Sequence, residues 1–514
     1  MKNIFITNGP YLLNPAADQM TIAWEMGKKS EVKVIYKSVS GAETEVFVEQ
    51  KSFGQKQEYW LCIAVLENLQ AATDYVYTIF VSGEEAANGN FKTLPEDPQE
   101  LKIVTISDSH LFYTEKQFSA MIERVKPDFM IHAGDISFGT GYQHDQYSEN
   151  WFQKIPEVLK RIPVVYVPGN HDDGPFYDMF FAIPQAAGTK MDSHLHTYSF
   201  TCGDTHFTMV DSNSWGLFEM NAVNSGLPVD RMTQQKIRQT LQWIGEDLEA
   251  ARAKWRVLVM HHPYTDEFNN RYIVPLAEKY HVNLVIGGHL HYYVKTVSVN
   301  PAIGAGTVYV SQGSTQDPEA ALEKINGGRL LGEFPEVVAM GKNNYGLLEI
   351  KKEAIQYQMY GFTETPGEDI LVDQLQMRQE APALLFSDIE IEQMDNNGNV
   401  EIKALVKNCG QGIAEVVLPV SDNGEKQAVN LFGAAGREVV VVLNRDEERR
   451  ISGIYKAKQQ GEHEIFVGDC KKKIVVFEPP QITFSHMQLF VNQKNSSYLT
   501  ASIEATNNLE REIF

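Results

Sequence analysis

Five short blocks place acids, amides and imidazoles at spacings suited to metal chemistry: Asp108-Ser109-His110, Gly134-Asp135, Gly169-Asn170-His171-Asp172, His261-His262-Pro263 and Gly288-His289-Leu290-His291. Singly they mean little, and a lone His-x-His on a strand is usually a solvated face, the reading given to His194-Leu195-His196. Five in order, each behind its own apolar run, resist coincidence. In an extended segment residues i and i+2 share a face, so Asp108 and His110 can converge on one point, as can His289 and His291. The glycines before Asp135, Asn170 and His289 permit tight turns that lift those side chains above a sheet edge. Carboxylate, imidazole and amide together suit Mn, Fe or Zn, and suit neither a thiolate zinc site nor an all-oxygen calcium site. One carboxylate between two imidazole-rich clusters is what a pair of ions about 3.5–4 Å apart requires. Of the 14 histidines, 12 fall between His110 and His291, which is where this chemistry is expected.

The elements that must position these blocks follow from patterning. Leu101–Ile106 is a largely apolar strand, followed by a helical stretch (Glu115–Val125) and a second strand, Asp128–His132. Strand and helix alternate again through Pro163–Val167, Gln234–Ala253, Val257–Met260 and Val282–Ile286. That grammar predicts an α/β domain over 97–366 with a largely buried sheet. Residues 1–96 read as all-β, with short alternating runs and Gly- and Ser-rich turns. There Leu69-Gln70-Ala71-Ala72-Thr73-Asp74-Tyr75 resembles the tyrosine corner of fibronectin type III domains, with Tyr75 bonding back across the corner. Residues 367–478 read as a complete β-sandwich. A weak repeat, Phe386-Ser387-Asp388-Ile389 recurring as Phe484-Ser485-His486-Met487, marks 479–514 as the start of another that stops early. The Asn408-Cys409-Gly410 turn resembles bacterial CARDB-type adhesion domains.

Taken together, the five blocks resemble the signature of calcineurin-like metallophosphoesterases: D-x-H, G-D, G-N-H-[DE], H and G-H-x-H. The resemblance implies a β-sandwich flanked by helices, a four-layer α/β/β/α core, preceded and followed by all-β sandwich domains. It also implies two divalent or mixed-valence metal ions (Mn, Fe or Zn). Asp108, His110 and His291 would bind one, Asn170, His261 and His289 the other, and Asp135 would bridge them, with His262 behind the ligands. Within that family the architecture looks like purple acid phosphatases, which carry an N-terminal fibronectin-like domain and a hairpin similar to Tyr198–Phe207. Two departures compensate: His110 stands where the purple enzymes have glycine, and Phe138 where they have a tyrosine ligand. The expected centre is of phosphodiesterase type and lacks the tyrosinate-to-iron colour.

The implied reaction is phosphoester hydrolysis, monoester or diester, by a metal-bridging hydroxide attacking in line. His171, next to Asn170, is the candidate to protonate the leaving oxygen or clamp the phosphate. Asp172 is the candidate to fix the orientation of His171. His132, ending a buried strand, reads as a satisfied core histidine. Tyr142, His144 and Tyr147, and likewise Ser212, Asn213 and Trp215, read equally as cleft lining or as packing. Specificity is expected in the loops 137–150, 173–193 and 212–230 and in the insert 315–343. The rival reading is a surface-binding protein with a vestigial phosphoesterase domain, its β-sandwich tail making cell-surface or carbohydrate contacts.

A formal net charge of −22 argues against nucleic acid as the main partner, and leaves a small phosphoester as the expected substrate. No apolar stretch reaches the ~18 residues of a membrane span, and Met1–Pro10 has no signal-peptide h-region. Cytoplasmic is therefore the default, although the scaffold and tail look like those of exported bacterial proteins. Cys62, Cys202, Cys409 and Cys470 form no CxxC pair, and Cys409 and Cys470 read as free thiols. Oligomeric state is left open.

Overall fold

The computed structural model describes residues 6–507 except 40, 55–57, 182–195, 214, 216–230, 267, 298–306, 314–337, 341–342, 379–382, 410–413, 433–440, 444–446, 458, 478–481 and 492–498. His194, Leu195 and most of the expected specificity loops after residue 181 lie outside the described residues.

The chain divides into two units, Met1–Arg378 and Gln379–Phe514. In the first, two sheets meet face to face. One runs in the order Val164–Tyr166, Phe129–His132, Glu100–Ile106, Asn344–Lys351, Ala354–Gly361, Ile370–Arg378. The other runs Tyr198–Cys202, Thr205–Val210, Trp255–Met260, Leu284–Gly287, Val308–Ser311, Tyr293–Val297, Val338–Met340. Their shared core includes Ile103, Phe129, Ile131, Val257, Val259, Leu284 and Tyr357. Phe118, Met121 and Ile122 of the helix Glu115–Val125 cover the outer face of the first sheet beside Val104 and Met130. Ile237, Ile244 and Leu248 of the helix Arg231–Ala250 cover the second beside Leu258 and Val285. This is the four-layer α/β/β/α arrangement that the sequence resemblance implies. Strands buried on both faces explain the unbroken apolar runs.

The expected boundary at 366/367 shifts. Ile370–Arg378 pairs with Ala354–Gly361 and closes the edge of the first sheet, so the unit ends at Arg378. An edge strand on a hairpin carries little apolar signal of its own, and here the backbone pairing decides.

The N-terminal residues form two four-stranded sheets, and the Gln70 N–H donates to Tyr75 Oη at 2.8 Å. Strand Met20–Met26 is buried along its whole length because its two faces serve two cores. Met20, Ile22, Trp24 and Met26 fill the sandwich, whereas Ala23 faces the core of the α/β domain together with Leu61 and Ile63 of the neighbouring strand. Glu25 shares that outward face. It is 1% exposed, and its Oε2 lies 2.5 Å from His144 Nε2. His144 also stacks on Tyr59, ring centroids 4.0 Å apart. It therefore packs the N-terminal sandwich against the domain that carries the five blocks. Tyr147, from the same loop, is buried.

This pair has a pH signature. Burial lowers the His144 pKa, but the Glu25 hydrogen bond and charge outweigh it and the net shift is upward. A histidine raised on folding stabilises fully below its unfolded value of ~6.5 and loses that stabilisation as pH rises through the folded value. Thermal melts of wild type and His144→Gln should thus differ most at acidic pH, by about 2 kcal/mol, and converge on the alkaline side. A constant gap across pH would assign the effect to packing.

In the second unit a β-sandwich core is built from residues such as Val400, Ile402, Leu418, Tyr455 and Ile465, and Ile482–Val491 pairs with Leu499–Asn507 as a hairpin. Cys409 and Cys470 are free. Among the described residues, no helix is long and apolar enough to cross a membrane.

Candidate metal centre

All five blocks sit just past the C-terminal ends of strands: Glu100–Ile106, Phe129–His132, Val164–Tyr166, Trp255–Met260 and Leu284–Gly287. The strands within each sheet are parallel here, so their ends open on one edge. Side-chain ligand atoms of Asp108, His110, Asp135 and His291 lie within 4.8 Å of one another, as do those of Asp135, His261 and His289. Asn170 Oδ1 joins the second group, 2.9 Å from His289 Nδ1. Asp135 is common to both. Its Oδ2 is 3.2 Å from His261 Nε2 and 3.8 Å from His110 Nε2, while Oδ1 accepts the His171 N–H at 2.8 Å.

The convergence does not arise from extended backbone, as the i, i+2 spacing suggested. Asp108, His110, Asp135, His289 and His291 all have positive φ, between 43° and 72°. Left-handed conformation at five non-glycine residues is costly and is tolerated where the surroundings over-determine it. The glycines also act differently from expectation. Gly134 does turn at φ 94°. Gly288 instead yields room, since a Cβ there would lie 1.8 Å from Ser107 Oγ and 2.7 Å from Asp108 Oδ2.

Main-chain carbonyls orient the imidazoles. Nδ1–H of His261 donates to Ala133 O at 2.8 Å, that of His110 to Ser137 O at 2.7 Å, and that of His171 to Gly139 O at 2.8 Å. With Nδ1 on the carbonyl side, the Nε2 atoms of His110 and His261 are turned toward Asp135. Burial lowers the pKa of His110, and takes that of His289 down to about 4, so both rings are neutral at physiological pH, the form in which an imidazole could bind a metal. Burial alone would raise Asp108 and Asp135. The surrounding imidazoles outweigh it, holding Asp108 well below the carboxylate range and Asp135 at about 2. His261 goes the other way: burial would lower it, but the Asp135 and Asp108 carboxylates outweigh burial and hold its pKa up at about 9. The site therefore holds two buried anions, neutral nitrogen donors at His110 and His289, and a His261 whose proton a bound cation would displace. His261 Nε2 is buried without a hydrogen bond despite its approach to Asp135. This donor set fits a pair of divalent cations.

Asp172 is a correction to the sequence reading. It does not touch the His171 ring. Its buried carboxylate accepts the backbone N–H groups of Asp135 (2.7 Å), Ile136 (3.1 Å), Ser137 (3.0 Å) and Gly169 (3.0 Å), and the Tyr147 hydroxyl at 3.3 Å. It is a positioning residue for the loop that carries Asp135. Burial and then the Asp135 charge push its pKa up to about 6 against those donors.

His262 Nδ1 lies 2.7 Å from Ser212 Oγ, and burial keeps its pKa well below the usual value, so it stands behind the ligands. His132 is the core histidine expected: Nε2–H donates to Ser109 Oγ at 2.9 Å, while Nδ1 accepts the Gly134 N–H at 3.2 Å. Trp215 is buried and donates to Asn269 Oδ1, whereas Asn213 donates to Gly169 O at 3.1 Å. Sequence reasoning missed Ser107, which donates to Asp108 Oδ2 at 2.6 Å, and Ser109. Their only signal was adjacency to ligands.

A family model for Calcineurin-like phosphoesterase matches residues 101–293, the stretch that contains every one of these groups. Residues 101–293 are a calcineurin-like phosphoesterase domain. An uncharacterised protein of Mycobacterium tuberculosis is 25% identical over 309 residues, 52% of this chain and 56% of that protein. The chain thus spans about half the length of this curated relative. The 3′,5′-cyclic adenosine monophosphate phosphodiesterase CpdA of Escherichia coli K12 is 22% identical over 214 residues, 37% of this chain and 70% of CpdA. Among solved structures, PhoD superposes with a TM-score of 0.53 over 74% of this chain and 91% of its own, at 12% identity, a likeness of fold alone.

Proposed function

We propose that this chain hydrolyses small phosphodiesters at a two-metal centre. The observation that carries the reading is the shared carboxylate: Asp135 belongs to both ligand groups, which are otherwise distinct. Asp108, His110 and His291 hold one ion, and Asn170, His261 and His289 the other. When bound, the two ions supply Lewis acidity, making water nucleophilic near neutral pH and offsetting phosphoryl charge. Mn, Fe and Zn all match the mixed donor set.

The protein's own share is positional and acid–base. Gly139 O fixes the His171 Nδ1 proton, so Nε2 is the ring atom left to act on the departing oxygen, giving it a proton from the imidazolium form and leaving the neutral Nδ1–H ring behind. Asp135 Oδ1 holds the His171 N–H and thereby ties that imidazole to the bridging residue. Preference for diesters is supported by His110 in the first block, by Phe138 in place of a tyrosine ligand, and by the cyclic-nucleotide phosphodiesterases among the relatives. The vestigial-domain reading is not favoured, because every ligand position is filled and the ligand atoms converge.

The test is hydrolysis of nitrophenyl phosphate and bis-nitrophenyl phosphate by metal-stripped protein, with and without Mn²⁺. Turnover restored by Mn²⁺, faster on the diester, is expected. Silence on both esters under every metal would overturn the reading. In the same assay His171→Ala should lower kcat by about a hundredfold or more with metal content unchanged. Undiminished turnover would remove His171 from the reaction.

A further inference from the structure

The loop that carries Asp135 also holds a large apolar ring out in solvent beside the centre. Phe138 is 47% exposed, and its ring stands edge-on to that of His110, centroids 5.9 Å apart at 88°. Single exposed apolar side chains are ordinary. What sets Phe138 apart is that its backbone is pinned on both sides by the site itself. Ahead of it, Ser137 N–H donates to Asp172 Oδ1 and Ser137 O accepts His110 Nδ1–H. Behind it, Gly139 O accepts His171 Nδ1–H and Gly139 N–H donates to Gln146 Oε1 at 3.1 Å. The loop cannot move to bury the ring without releasing His110 or His171. The His110 ring is itself 5.1 Å from that of His171 and 5.0 Å from that of His291. A phosphoryl group held at the centre therefore has a rigid, uncharged aromatic surface next to it.

We infer that Phe138 is a specificity-determining residue whose exposed ring stacks on an aromatic group of the substrate, selecting aryl or nucleoside phosphoesters over alkyl ones. The inference rests on the phosphoesterase reading for its location, and on the pinned loop for its content. Stacking between an aromatic side chain and a base is worth about 1–3 kcal/mol, enough for a selectivity of about tenfold. A phenylalanine does not ligate metal, so the ring acts on the organic part of the ester.

Phenylphosphonate and methylphosphonate separate this from chemistry, because both present the same anion and neither is cleaved. Their inhibition constants would be measured on the Mn²⁺-loaded protein against bis-nitrophenyl phosphate, and their dissociation constants by calorimetry. Wild type should prefer phenylphosphonate by about tenfold. In Phe138→Ala the preference should fall to near unity while methylphosphonate affinity and metal content stay unchanged, and Phe138→Trp should restore it. An unaltered preference in Phe138→Ala would overturn the inference. So would a parallel loss for both phosphonates, which would make the ring a mere shield for His110. If no ester is turned over, the proposed function fails, and calorimetry still decides the role of Phe138.

Discussion

Asp135→Asn should empty the centre without unfolding the protein. The substitution keeps the volume and the hydrogen bond that Oδ1 accepts from the His171 N–H, but it removes the only charge shared by both ligand groups. Metal content, read by mass spectrometry, should fall from the two ions per chain that the proposed centre would hold to less than one. Loss of a bridging anion is expected to cost about 4 kcal/mol of transition-state stabilisation, or about a thousandfold in kcat/KM. Stability of the metal-free protein should fall modestly. Burial and the Asp108 charge oppose the Asp135 carboxylate, but the His261 and His110 imidazoles outweigh both and hold its pKa at about 2, so the amide gives up a net attraction. A variant that retained two ions and near-normal turnover would refute the bridging role. One that melted far below wild type in the metal-free state would assign Asp135 a structural role instead.

Asp172→Ala should act first on stability and only then on metal binding. Four buried backbone N–H groups and the Tyr147 hydroxyl converge on this carboxylate. An orphaned buried donor costs about 1–3 kcal/mol, and because the losses are not additive, a destabilisation of about 4 kcal/mol is the expectation. Asp172→Asn should fare little better, since its amide turns an N–H₂ donor toward other donors. Released from the clamp, the loop carrying Asp135 loses its position, and metal affinity should drop by about 10- to 100-fold, as for other residues that support ligands. Thermal melts with and without Mn²⁺, together with metal titration, check both parts. The contrast with His171→Ala is the diagnostic: there kcat falls while stability and metal content hold. If Asp172→Asn instead lowered kcat alone, Asp172 would act through His171 after all, as its neighbouring position in sequence suggested.

The two effects share a physical cause. The segment 133–139 is a short stretch of backbone held from outside by Asp172 and from inside by three imidazoles on the carbonyls of Ala133, Ser137 and Gly139. A side chain that fixes backbone N–H groups thereby fixes the carbonyls facing the other way, and through them the tautomers of His110, His171 and His261. Positioning is transmitted through peptide planes, which have little freedom of their own.

The residues that converge at the candidate centre, the buried strands behind them and the β-sheets on either side were legible in the sequence, because each rests on a local pattern. Apolar runs specify doubly buried strands, glycine marks close approach or a turn, and carboxylate, amide and imidazole announce themselves by residue type. Tertiary structure decided what has no local pattern. The left-handed conformations at Asp108, His110, Asp135, His289 and His291 persist only because packing over-determines them, and the spacing alone suggested extended backbone. Carbonyl acceptors leave no trace in a sequence, since every residue has one. The role of Asp172 turned on whether its carboxylate faced the adjacent imidazole or the backbone of a loop 35 to 37 residues away. The Glu25–His144 pair spans 119 residues and two folded layers. Composition and periodicity report what a residue is and which face it shares with near neighbours, whereas contacts across such separations are set by how sheets pack.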